Sequence, residues 1–173
     1  MNIEKILADE VIYYATLMNL SMLITSKIDH EEPNARLKSV FYSSGRTAHV
    51  VIFNPEFLEK CIINNTLKPI VVHELGHAVH CKKDFKLKKS RWFKVLKFIQ
   101  AAYFKKLYIE MENRVDREML KFFSLEECID TLKWVNQQFP RSWDLPSRIK
   151  MLRENKKKIT IFRIGINEYK AFL

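Results

Sequence analysis

The residue types best able to do chemistry in this chain are gathered at His73-Glu74-Leu75-Gly76-His77. Histidines at positions i and i+4 of a helix share one face, about one turn apart, so their imidazole nitrogens can hold a single metal ion. Glu74 is adjacent in sequence and points past that ion, where it can polarise a bound water instead of ligating. Zinc fits this donor set: it takes imidazole and carboxylate ligands and lowers the pKa of bound water toward about 7. The apolar run Ile70-Val71-Val72 just before the motif supports a helical setting.

A catalytic zinc site usually has three protein ligands and one open position. A glycine three residues after His77 and a histidine three further on would supply the third from the same segment, but His80 and Lys83 stand there. A glutamate from a later helix is the alternative. Glu112 and Glu110 are the two candidates, and Glu112 is favoured. Asp116 follows it at i+4, on the same face, and can orient a ligand histidine by accepting its distal N–H. Position 114, four beyond Glu110, is Arg. His80 lies nearly 5 Å beyond His77 along the helix axis, too far to share the ion. Cys81 reads as a small packed residue, and His30 and His49 as structural histidines.

These residues need elements to hold them. Thr66 and Pro69 suit a helix start, so a helix over about 67–83 carries the motif. Residues 3–28 read as one helix, with Ile3, Ile6, Leu7, Val11, Tyr14, Leu17 and Met18 near the helical period. Residues 36–42 and 48–53 read as strands joined by the turn-like Ser43-Ser44-Gly45-Arg46. Asn54-Pro55 ends the second, and a short helix comes next. A long helix over about 89–123 carries Glu112 and Asp116. Ser124 with Glu126-Glu127 starts a helix to about Gln138, residues 146–157 look helical, and 159–164 alternate as a late strand. The fold class expected is α+β and mainly helical, with a small antiparallel sheet packed on the histidine helix.

With 173 residues the chain is read as a single domain, 1–173, with a basic helical insertion at about 82–108. Twelve Phe, six Tyr and three Trp provide for a substantial core, which excludes a disordered chain, and only three Gly disfavour a turn-rich β fold. The net charge of +10 attracts anionic partners without choosing among them. Much of it lies in Lys82–Lys97, which holds eight Lys or Arg against the single acid Asp84. That segment suits a solvated helix face, or contact with nucleic acid or an anionic surface. Three widely spaced cysteines argue against a disulfide framework. With no signal-peptide pattern and no long apolar span, a cytoplasmic location is expected.

The HELGH segment together with Glu112-Asn113-Arg114-Val115-Asp116-Arg117 resembles the HExxH…ExxxD-R arrangement of gluzincin peptidases. These are the relatives of the CAAX-prenyl and heat-shock membrane peptidases, including the small minigluzincins. Pro146-Ser147-Arg148-Ile149-Lys150-Met151-Leu152 is similar to that family's downstream Arg-Ile-x-x-Leu segment, although Ser142-Trp143 stands where a His-Pro is usual. The resemblance implies a zincin-like domain with His73, His77 and Glu112 on zinc, Glu74 as general base and Asp116 behind the ligands. Arg148 would shape the site near the substrate or near Asp116. ImmA/IrrE-type metallopeptidases, which cleave or regulate repressors, are a second and weaker resemblance.

The expected activity is hydrolysis of a protein or peptide substrate. An extended peptide would bind along residues 48–53, taken as an exposed edge strand. The rival is a zinc-stabilised module without activity, its cleft closed by the insertion or by residues 159–173.

Overall fold

The computed structural model describes residues 2–20, 23–41, 47–88, 97–140 and 145–155. The expected strand at 159–164 and the side chains of Lys82–Lys97 and Cys81 lie outside the described residues. The chain divides into two compact units, Met1–Ser90 and Arg91–Leu173, whose boundary falls within the expected basic insertion. The fold is α+β and mostly helical.

The first unit opens with α1 (Ile3–Leu17), capped by the Asn2 side chain, which accepts from the Lys5 N–H at 3.1 Å. Leu7, Val11, Tyr14 and Ala15 form its buried stripe. The helix ends at Leu17, well short of the expected end at residue 28. Asn19, just past the C-cap Met18, adopts φ 52°, the left-handed conformation that closes a helix and that Asn tolerates. The next element is a strand, β1 (Leu23–Ile28), and not more helix. Ile24, Thr25 and Ile28 are β-branched, the type that packs well on a pleated sheet.

β2 (Ala35–Phe41) and β3 (Thr47–Phe53) form the expected hairpin, pairing antiparallel from Ala35↔Phe53 to Phe41↔Thr47. β1 pairs with the other side of β3, in parallel, from Leu23↔Ala48 to Ile28↔Phe53. The order β1-β3-β2 corrects two expectations. The sheet is mixed and not antiparallel, and the 48–53 segment is its central strand and not an edge. Asp29–Asn34 therefore bridges two strand spacings, about 10 Å. It is pinned to the end of β3 by the Asp29 N–H on the Phe53 carbonyl (2.9 Å) and the Asn54 N–H on the Asn34 carbonyl (2.7 Å).

One face of the sheet carries Ile24, Ser26 and Ile28, then His49, Val51 and Phe53, then Ala35, Leu37 and Ser39, by the register and the period of two. Val51 and Phe53 are wholly buried, and His49 nearly so. His49 Nδ1 and the cross-strand Ser39 Oγ share a 2.9 Å hydrogen bond. Burial lowers the His49 pKa below its ordinary 6.5, because the charged imidazolium is poorly solvated there. A histidine held neutral in the fold contributes stability above about pH 6.5, and that stability is lost as pH falls through the lower folded value. The stability of the wild type is thus expected to fall faster than that of His49→Gln below pH 6.5, by at most about 1.4 kcal/mol per pH unit. Urea midpoints at pH 8 and pH 5 check this; identical losses in both proteins would contradict it.

α2 (Pro55–Ile63) starts on Asn54, whose side chain accepts from the Phe57 N–H (3.1 Å), and has Pro in its first turn. Asn65 at φ 54° turns the chain into α3 (Leu67–Lys88). The Thr66 carbonyl accepts the first helical bond from Ile70, while its hydroxyl reaches back to the Cys61 carbonyl at 3.4 Å. Cys61 is a buried free thiol pushed up to about 12 by desolvation, so it is inert and not a reactive centre. α3 packs on α1, α2, β2 and β3.

The second unit holds α4 (Lys97–Met119), α5 (Leu125–Gln138) and α6 (145–155). A complete capping box starts α5: the Ser124 hydroxyl accepts from the Glu127 N–H, and the Glu127 carboxylate accepts from the Ser124 N–H. Val115, Met119, Leu120, Cys128, Ile129, Leu132, Met151 and Leu152 form its buried apolar set. No helix among the described residues is long and apolar enough to cross a membrane.

Candidate metal centre

α3 owes its position to apolar residues on nearly every side. Val71, Leu75 and Ala78 are fully buried and fall within about 60° of one another around the helix. His73 and His77 sit roughly opposite that stripe and are only half-buried. The packing that fixes the helix thus turns the two histidines away from its most buried stripe. Their rings lie 5.1 Å apart between centroids and are near-perpendicular at 88°.

One ligand atom from each of His73, Glu74 and His77 lies within 4.8 Å of the others. Around a tetrahedral ion with bonds of about 2.1 Å, donors are about 3.4 Å apart. One nitrogen from each histidine lies within 4.8 Å of the other, and imidazole and carboxylate are donors that zinc takes, so His73 and His77 fit as two ligands with the Glu74 carboxylate beside them. Glu74 is buried and His80, farther along α3, is outside the cluster.

The second unit places the other expected residues together. Glu112 and Asp116 lie on one face of α4 with Val115 and Met119, and this is the face that points into the unit's core. Asp116 is completely buried. Arg148, on the face of α6 that also carries buried Leu152, grips it with both prongs of its guanidinium. Nε donates to Oδ2 at 2.6 Å and Nη2 to Oδ1 at 2.7 Å. Arg148 Nη2 is also 3.4 Å from Glu112 Oε2. Burial opposes the charge on Arg148, but the Asp116 carboxylate outweighs it, helped by Glu112 and Tyr108, and the pKa is raised above its ordinary value. Arg148 is therefore a permanent cation, and of its two expected positions it occupies the one at Asp116. Glu110 is exposed, two residues from Glu112 on the same helix.

The Arg148–Asp116 pair spans 32 residues, and only the Arg-Ile-x-x-Leu segment hints at it in the sequence. The Ser39–His49 bond is one that sequence reasoning misses; its signal is two polar residues at mirrored places in a hairpin. No protein-family model, curated protein or solved structure matches this chain.

Proposed function

We propose that this protein is a zinc-dependent peptidase of the gluzincin type with a zincin-like fold. The observation that carries this reading is the His73–Glu74–His77 cluster on one turn of α3. His73 and His77 would hold the ion as neutral imidazoles, with Glu112 as the third ligand on the strength of its ExxxD motif. Bound zinc supplies a Lewis acid that acidifies water and polarises the scissile carbonyl. Glu74 takes the proton of the attacking water on its carboxylate and returns it to the leaving amine. Asp116 and Arg148 act behind Glu112: the guanidinium fixes Asp116 and draws Glu112 into one orientation. An extended substrate joins the sheet at β2, the edge strand against which α3 packs.

Purified protein is expected to bind one zinc and to cleave an unstructured protein such as casein. Chelation should abolish cleavage, and one equivalent of zinc should restore it. Cleavage that persists in the metal-stripped protein would refute the proposal.

A further inference from the structure

β2 is seven residues long, and among the described residues no strand lies on its outer side. In an antiparallel ladder every second residue turns its N–H and C=O away from the partner strand, so this edge offers a row of backbone groups to an added segment. Its side chains divide cleanly. Ala35, Leu37 and Ser39 belong to the half-buried face, while Arg36, Lys38 and Val40 are exposed. Two of the exposed positions, Arg36 and Lys38, present cations. Lys27, two strands away and across Ile52 from Arg36, adds a third on the same face. Lys27 is satisfied by Asp29 at 3.0 Å and Arg36 by Glu32 at 2.6 Å. Among the described residues, none forms an ion pair with Lys38.

We infer that β2 selects extended segments carrying acidic residues at alternate positions, with Lys38 as the specificity-determining residue. This rests on the peptidase reading. Residues of an added strand that lie opposite Arg36 and Lys38 must point to the same face as they do, two positions apart. A carboxylate opposite Lys38 gains a cross-strand partner, and a lysine there meets a like charge. Each favourable pair is worth up to about five-fold in binding. An edge lysine can also serve only to repel unwanted strand pairing, and that alternative predicts no preference for acidic partners.

The test compares two blocked heptapeptides, one alternating Glu with Val and one alternating Lys with Val, on the zinc-loaded protein. The Glu peptide is expected to show the lower KM with kcat little changed, and Lys38→Glu should reverse the preference. Hydrogen exchange on zinc-loaded Glu74→Gln gives a readout free of turnover: the Glu peptide should protect the β2 amides, and the Lys peptide should not. Cleavage without charge preference, or a preference unmoved by Lys38→Glu, overturns the inference and leaves the peptidase reading standing. Protection of β2 by the Glu peptide with no cleavage by the wild type supports docking and overturns the peptidase. Neither protection nor cleavage overturns both.

Discussion

Glu74→Gln is expected to lower peptide hydrolysis by about a hundred- to ten-thousand-fold while leaving zinc bound. Gln keeps the size and hydrogen-bonding reach of the side chain but cannot accept a proton from water at neutral pH. Glu74 is buried on α3 beside the two histidines proposed as ligands, so an amide preserves the local packing better than alanine would. Three quantities decide the matter: turnover, zinc content and thermal midpoint. Loss of turnover with the other two preserved is the expected pattern. Full turnover in the variant would remove Glu74 from the chemistry, and loss of zinc would make it a ligand.

The second large effect belongs to the ion pair of the second unit. Arg148→Met leaves Asp116, wholly buried, without its bidentate partner. Removing one member of a buried pair typically costs about 3–5 kcal/mol, because the remaining charge loses its counter-ion. The double variant Arg148→Met with Asp116→Leu is expected to recover part of that loss, since an apolar pair needs no desolvation while Glu112 still loses its contact with Arg148. Urea unfolding of the single and double variants separates the two cases. A single variant within about 0.5 kcal/mol of wild type would show that the pair carries no such charge burden.

Much of the fold is legible locally. The α3 helix follows from an apolar run behind Thr66, and the α5 start from Ser124 three residues before Glu127. The β2–β3 hairpin is placed to within about a residue, because alternation and a turn sequence are contained in one window. Local reading fails at residues 18–28. The periodic positions of the first helix end at Met18, and Asn19 is a natural closing residue, yet the expected helix runs past both. The error propagates. With β1 read as helix, the hairpin has no third strand, and β3 is left as an edge. Parallel pairing of β1 with β3 joins residues 25 positions apart, and no local pattern encodes it. The residues of the candidate site are readable because helix spacing itself puts His73 near His77 and Glu112 near Asp116. The grip of Arg148 on Asp116 is a tertiary contact, and only geometry distinguishes it from a substrate-facing role.

The central claim is that His73 and His77, completed by Glu112, hold a zinc ion with Glu74 beside it. A crystal structure of the zinc-loaded protein, with anomalous differences measured on both sides of the zinc absorption edge, tests it most directly. One strong peak is expected within about 2.0–2.2 Å of a nitrogen from each histidine and an oxygen of Glu112, with Glu74 outside the ligand set. A peak elsewhere, a site completed by another residue, or no zinc at His73 and His77 would contradict it.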